Sequence, residues 1–152
     1  AQDVAQKLLP RLADQAPRLL SSPLRRAQET AAPLAQQLDH ALTIDERFRE
    51  IPSPVALEGR QAWLRRFMQG VWPEKDESLH AWRRAIVDGI ETLSDGSVVF
   101  THFLVINTVV GHVEGRDETL TFWPANASVT VLRHDGNAWC AARGEEMRSI
   151  VN

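Results

Sequence analysis

The 152-residue sequence has 43% hydrophobic and 24% charged residues and a formal net charge of −3, which is typical of one water-soluble globular domain. The charge argues against nucleic acid or an anionic membrane as a partner, so a bound anion needs a local cluster of cations. Neither a membrane-spanning run nor a signal-peptide pattern is present, and the single cysteine, Cys140, excludes an internal disulfide, so we expect a cytoplasmic protein.

The first part of the chain alternates between helical and extended patterns. Ser22 followed by Pro23 predicts a helix start, because a capping hydroxyl precedes proline at the first helical position. The spacing of apolar residues supplies the remaining boundaries. We predict a helix over 1–13, a strand over 18–21, a helix over 22–39 and a short strand or extended connection over 41–48.

The second part begins with a proline-containing loop and contains the most apolar strand. The Val98-Val99-Phe100-Thr101 stretch is continuously apolar, as in strands buried on both faces. Asp135-Gly136 is a strong hairpin signal. We predict a loop over 51–58, helices over 59–71 and 77–93, a strand over 98–101, a helix over 104–111, and hairpin strands over 128–133 and 138–142.

This alternation predicts an α/β fold of three layers, α/β/α, with a mostly parallel central sheet. In such sheets, ligands bind beyond the carboxyl ends of the strands. Ser21-Ser22 follows the first strand, and Thr101-His102 follows the buried one. The sequence therefore predicts a site where these two strand ends meet.

Two arginines, Arg25 and Arg26, fall in the first turn of the predicted second helix. Cations are unfavourable there, because a helix N-terminus carries partial positive charge. A bound anion would explain the placement, since guanidinium groups and free amides could bind it together. The alternative is that both arginines are solvated surface charges.

His102 and Glu50 are the other candidate site residues. His102 could face the crevice from the rigid strand end, or lie at the edge of the core bonded to a backbone carbonyl. Glu50, flanked by apolar residues, could be desolvated, which would raise its pKa toward that of a general acid. Alternatively, it could form a surface ion pair with Arg47 or Arg49.

The chain resembles the histidine phosphatase (phosphoglycerate mutase-like) superfamily in four motifs that occur in the expected order. The first resembles that family's Ser-Pro-Leu-x-Arg-Ala-x-x-Thr-Ala stretch, the second its Leu-x-Glu-Ile segment, the third the strand that ends in the second catalytic histidine, and the fourth the final strand. In this sequence they are Ser22–Ala31, Phe48–Ile51, Val98–His102 and Ala127–Leu132.

The resemblance implies a phosphomonoesterase without a metal or cofactor, acting on a small phosphorylated substrate. Arg26, Ser22, His102 and Phe103 would bind the phosphoryl group, and His102 would also stabilise the charge that develops during transfer. Glu50 would protonate the leaving alkoxide. A histidine in an Arg-His-Gly motif would attack phosphorus and form a phosphohistidine.

The sequence departs from this pattern in three places, one of which is the segment after the acid, where Ile51–Gly59 replaces the family's glycine- and tryptophan-containing segment. It contains no Arg-His-Gly motif, so we expect the nucleophile and the first, central strand to lie upstream, and the chain by itself to be inactive and not to fold autonomously. The family's Gly-Gly after the second histidine is replaced by Phe103-Leu104, which adds bulk beside the phosphate. We expect one N-terminally incomplete domain over 1–152, with a helical cap at about 52–93 whose aromatic residues mainly pack in the core.

Three functions stay open from the sequence. A phosphatase is favoured over a phosphoglycerate mutase-type phosphotransferase, because the extended insertion typical of the glycolytic mutases is lacking. The second possibility is a non-catalytic phosphate-binding module, and the third is an interaction domain without a phosphate site. The natural substrate and the oligomeric state stay undetermined.

Overall fold

Three short strands form a parallel sheet in the computed structural model, which describes residues 1–12 and 15–147. Strand β1 (Arg18–Ser21) lies between β2 (Leu42–Ile44) and β3 (Ser97–Phe100). In the register, Leu20 of β1 is opposite Thr43 of β2 and Val99 of β3. The parallel sheet confirms the predicted α/β class.

Five α-helices accompany the strands within the described residues, together with three single turns of 3₁₀ helix. The α-helices are α1 (Gln2–Leu12), α2 (Arg25–Leu38), α3 (Arg60–Met68), α4 (Glu77–Glu91) and α5 (Phe103–Val113). The 3₁₀ turns are Glu46–Phe48, Leu57–Gly59 and Trp72–Glu74. None of the helices in this part of the chain has the length and apolar content needed to cross a membrane.

Several predicted boundaries were wrong by a few residues. The connection predicted over 41–48 is a three-residue strand followed by a 3₁₀ turn, because the Asp45 side chain accepts a hydrogen bond from the Arg47 amide and starts that turn. The helix predicted over 59–71 ends at Met68. The predicted end of the first helix, Ala13, lies outside the described residues.

Ser22 does not cap α2 as predicted. The helix begins at Arg25, and its N-cap residue, Leu24, makes no side-chain capping bond. The Ser22 hydroxyl instead accepts a hydrogen bond from the Leu24 amide at 3.2 Å, within the bend that precedes the helix. At the other end, α2 ends at Leu38, and its C-cap residue, Asp39, adopts the left-handed conformation. This agrees with the predicted helix end at about residue 39.

The sheet has a core on each face, because successive side chains of a strand point to opposite sides. Leu19 packs in a buried cluster with residues of α1 and α2. Leu20, the next residue, packs in a second cluster with Ile86 of α4 and Val109 of α5. In β3, Val98 and Val99 divide between the two clusters in the same way. The predicted three-layer arrangement follows directly from this alternation.

A third apolar cluster joins the region between α3 and α4 to the start of α5. Phe67, Trp72 and Leu79 are buried there against Ile51 and Leu104. The ring of Phe67 meets the ring of Trp72 edge-on, with the centroids 5.6 Å apart. The aromatic residues of this segment therefore pack in the core, as expected.

The predicted hairpin around Asp135-Gly136 is present. Its strands, β4 (Val131–His134) and β5 (Trp139–Ala142), are antiparallel and, within the described residues, form a sheet of their own. Gly136 has a φ of +96°, a conformation that favours glycine. β4 begins three residues later than the predicted 128, because a backbone hydrogen bond from Ser128 to Ala125 closes a turn there.

Leu34→Ala should destabilise the protein by about 2–5 kcal/mol, since the substitution removes a side chain that is 0% exposed and leaves a cavity between α2 and the sheet. The matched control is Leu57→Ala, because Leu57 is 88% exposed and should contribute little. Chemical denaturation of both variants measures the difference in the free energy of unfolding. Equal effects of the two substitutions would contradict the packing described for α2.

Candidate active site

The ends of β1 and β3 are tied together by the sheet itself. The Ser22 amide donates to the Phe100 carbonyl at 2.9 Å, which extends the ladder one residue beyond β1. Thr101, the next residue after β3, donates its hydroxyl to the Phe48 carbonyl at 2.8 Å. These two bonds bring the first, second and third motifs of the sequence to one edge of the sheet.

His102 and Ser22 are in direct contact at this edge. His102 Nε2 lies 2.6 Å from Ser22 Oγ, and the two residues are only 6% and 0% exposed. The sequence left open whether His102 faces a crevice or bonds a backbone carbonyl. The structure instead gives Nε2 a side-chain hydroxyl partner, which fixes the orientation of the ring.

The surroundings of His102 disfavour its charged form. Burial, followed by the positive charges of Arg26 and Arg49, lowers the pKa of His102 to about 4. The imidazole is therefore neutral at pH 7 and carries one N–H hydrogen. A neutral ring at this position can donate a single hydrogen bond to an anion.

Arg25 and Arg26 have different surroundings, although both lie in the first turn of α2. Arg25 pairs with Glu29, its Nε lying 2.6 Å from the carboxylate. Arg26 has no ion pair within the described residues, and its charge acts on both His102 and Glu50. The interpretation of a solvated surface charge therefore fits Arg25, whereas the exposed Arg26 also acts through its charge on His102 and Glu50.

Glu50 pairs with neither of the arginines suggested by the sequence, so that alternative was wrong. Arg47 binds Asp45, and Arg49 binds Glu46. The Glu50 carboxylate accepts hydrogen bonds from the Ile51 amide at 3.0 Å and from the Leu104 amide, near the start of α5, at 3.2 Å. Burial raises the pKa of Glu50 despite these two donors and the nearby arginines.

Two further arginines belong to the same region and were missed from the sequence. The charge of Arg49 acts on His102, and the charge of Arg60 acts on Glu50. Arg60 is the first residue of α3 and, like Arg26, has no ion pair within the described part of the chain. Its position in a helical first turn, which is unfavourable for a cation, was the signal that could have identified it.

Ser22 and Phe103 were both predicted to contact phosphate. The Ser22 hydroxyl is fully buried between His102 Nε2 and the Leu24 amide. Phe103 is the first residue of α5, and its ring lies against Trp123, with the centroids 5.2 Å apart. Phosphate contact by either residue stays a prediction.

The other four histidines have different local environments. His40 Nδ1 lies 2.8 Å from the Leu38 carbonyl at the end of α2, and His134 Nδ1 accepts from the Gly136 amide in the hairpin. His112 is in the last turn of α5, and His80 is on α4 next to the Trp72 ring. All five histidines fall within the described residues, and His102 is the one that the structure brings to the strand ends.

Arg26→Ala should raise the pKa of His102 from about 4 toward its ordinary value of 6.5, because removing a nearby cation makes the imidazolium less unfavourable. Arg25→Ala is the matched control, since the Arg25 charge is held by Glu29. An NMR titration of the His102 ring measures the effect. The same His102 pKa in the Arg26 variant and the unsubstituted protein would place Arg26 outside the site.

Comparison with known proteins relates this sequence to a known family. The sequence matches the model of the histidine phosphatase superfamily (branch 1) over residues 1–145. The sequence has no significant match among curated proteins. The family match includes all of the residues that meet at the ends of β1 and β3.

Solved structures share this fold over nearly the whole chain. YhfR of Bacillus stearothermophilus is 18% identical, with a TM-score of 0.70 over 97% of this chain and 83% of that one. The mycobacterial glucosyl-3-phosphoglycerate phosphatase Rv2419c, solved in complex with VO3, is 18% identical, with a TM-score of 0.63 and coverage of 96% and 84%. TTHB049 of Thermus thermophilus is 22% identical, with a TM-score of 0.51 and coverage of 96% and 82%. At these identities the similarity is one of fold.

Proposed function

Because this chain belongs to the histidine phosphatase superfamily, we propose that it is a phosphomonoester hydrolase whose site lies at the ends of β1 and β3. The proposal is supported by two hydrogen bonds, which hold His102 against Ser22 and Glu50 against the Leu104 amide at the start of α5, and by the charge of Arg26, which acts on both groups. Cations around an acid and a neutral imidazole suit a phosphate dianion and its leaving group. The substrate class is a small phosphorylated molecule.

Arg26 binds the phosphoryl oxygens in this proposal, and its guanidinium offers the two parallel N–H groups that suit a phosphate. The Ser22 hydroxyl already accepts from the Leu24 amide, so its own hydrogen can point to His102 Nε2. The ring hydrogen of the neutral imidazole is then on Nδ1, where it can donate to a phosphoryl oxygen. Ser22 thus acts through His102 as a positioning residue.

Glu50 supplies the proton for the leaving group. Its raised pKa keeps the carboxyl protonated to higher pH than an exposed glutamate, as a general acid requires. In the family's mechanism, a histidine of an Arg-His-Gly motif, which this sequence lacks, attacks phosphorus. The bond from phosphorus to the ester oxygen breaks, and that oxygen takes the Glu50 proton. Water then hydrolyses the phosphohistidine to inorganic phosphate.

We also propose that residues 52–93 form a cap that shapes the substrate side of this site.

In a form of the protein that contains the nucleophilic histidine, Arg26→Ala and His102→Ala should each lower kcat/KM for p-nitrophenyl phosphate by roughly 100- to 1,000-fold, because each removes a group that stabilises charge in the transition state. Release of nitrophenolate measures the rate. Arg25→Ala, which changes the neighbouring arginine, should leave the rate within a few-fold of the unsubstituted protein. Full activity in both site variants would falsify the assignment of the site.

Phosphate binding without turnover is the second candidate function. It is favoured by the absence of an Arg-His-Gly motif from the sequence and by the Nε2 of His102 being engaged with Ser22. Calorimetric titration with inorganic phosphate, followed by an assay with p-nitrophenyl phosphate, separates the two candidates. Binding that is lost in Arg26→Ala verifies the phosphate site for either candidate, and hydrolysis of p-nitrophenyl phosphate in addition identifies the enzyme.

Glu50→Gln should lower the hydrolysis of an alkyl phosphate by about 100- to 10,000-fold and that of p-nitrophenyl phosphate much less, because nitrophenolate leaves without a proton. With the alkyl substrate, activity of the unsubstituted protein should fall as pH rises through the raised Glu50 pKa, and this limb should disappear in the variant. Glu58→Gln, a change at an exposed glutamate, is the control. Equal losses on both substrates would show that Glu50 is not the general acid.

A further inference from the structure

An exposed tryptophan lies beside the proposed site. Trp123 is 48% exposed, and its ring lies against that of Phe103, with the centroids 5.2 Å apart and the planes at 56°. Phe103 directly follows His102 in the sequence and begins α5. Together the two rings form an apolar surface at the same helix start that contributes to the site.

This surface is on the side where the leaving group would be expected. The amide of Leu104, the residue after Phe103, donates to Glu50 Oε2 at 3.2 Å. If Glu50 protonates the leaving oxygen, that oxygen lies close to the start of α5. From there, a group attached to it can reach the Phe103 side chain, whose ring centroid is 5.2 Å from that of Trp123.

The backbone around Trp123 is firmly held. The buried Asn107 side chain of α5 accepts hydrogen bonds through Oδ1 from the amides of Thr121, at 2.8 Å, and Phe122, at 3.1 Å. The Met147 amide donates to the Trp123 carbonyl at 2.7 Å. The half-exposed ring is thus carried by an ordered backbone, so little conformational entropy is lost when a ligand packs on it.

The charge near Trp123 indicates which group it would accept. The Glu146 carboxylate accepts a hydrogen bond from the Trp123 amide at 3.3 Å. A carboxylate at this position repels an anionic group on the part of the substrate beyond the phosphate. It does not repel a neutral ring, which can pack on the exposed indole face. The other nearby charge, Arg143, lies over the Phe122 ring and is paired with Glu114, so the surface favours a neutral aromatic group over an anionic one.

We propose that Phe103 and Trp123 form an aromatic platform that binds a neutral aromatic group attached to the substrate phosphate. The inference rests on the proposed function, which places the phosphate at Arg26 and His102. It extends that function by naming the class of leaving group. Trp123 becomes a specificity-determining residue, separate from the groups that handle the phosphate.

The test compares the binding of phenylphosphonate and methylphosphonate by calorimetry. The two anions have the same head group and differ in the ring, and neither is hydrolysed, so the measurement is independent of turnover. Phenylphosphonate should bind more tightly than methylphosphonate. Trp123→Ala should reduce this affinity ratio roughly three- to tenfold, which is the contribution expected of an aromatic pair.

Three further variants make the result specific. Trp123→Phe should retain most of the ratio, because it keeps an aromatic face. Trp139→Ala, a change in β5 where the ring packs against His134, should leave both affinities unchanged. Arg26→Ala should weaken both ligands alike. Thermal unfolding of each variant verifies that it is folded.

The outcomes separate the platform from the proposed function. If the unsubstituted protein binds neither phosphonate, the proposed phosphate site is wrong and the platform is rejected with it. If it binds both equally, or if the ratio survives in Trp123→Ala, the platform is overturned and the phosphate site stands. A ratio that falls in Trp123→Ala but persists in Trp123→Phe and Trp139→Ala supports the proposal.

Discussion

The parallel pairing of β1 with β3 is the constraint on which the rest of this structure depends. Parallel strands end at the same edge of a sheet, so the residues that follow them are brought together whatever their separation in sequence. Here the ladder continues to the bond from the Ser22 amide to the Phe100 carbonyl, and two residues later His102 lies against the Ser22 hydroxyl. Helix α2 then starts with its arginines at this edge. The acid-bearing segment is held to the same edge by the bond from Thr101 to the Phe48 carbonyl.

The electrostatics of the site depend on two desolvated titratable groups, His102 and Glu50, that lie near arginine side chains. Burial favours the neutral forms of both His102 and Glu50, although it moves their pKa values in opposite directions. Nearby arginines strengthen this effect for the histidine and oppose it for the glutamate. The free site therefore holds cations, a neutral ring and a carboxyl group with a raised pKa. In the proposed function, the dianionic substrate supplies the negative charge that balances these cations.

Helix α5 connects the parts of the proposed site. His102 is its N-cap residue, its second amide holds Glu50, and its first residue carries one ring of the aromatic platform. One turn further along, Asn107 organises the backbone that presents Trp123. The proposed sites for the phosphate group and for the attached ring would thus both include residues that α5 carries or holds in place. This arrangement gives a physical basis for specificity toward the group beyond the phosphate.

The sequence by itself determined the α/β class, the parallel strand, the hairpin at Asp135-Gly136 and the candidate site residues, because these depend on local periodicity, turn chemistry and short motifs. Local patterns alone did not distinguish the adjacent Arg25 and Arg26; the family resemblance selected Arg26, and the structure pairs Arg25 with Glu29 while the charge of Arg26 acts on His102. It also gave Ser22 the wrong local role, assigned Glu50 alternative ion partners that it does not have, and missed Arg49, Arg60 and Trp123. The neighbours of these residues in the site come from segments that are far apart in the chain. Such contacts are decided only when the tertiary structure brings the strand ends, residues 52–93 and α5 together.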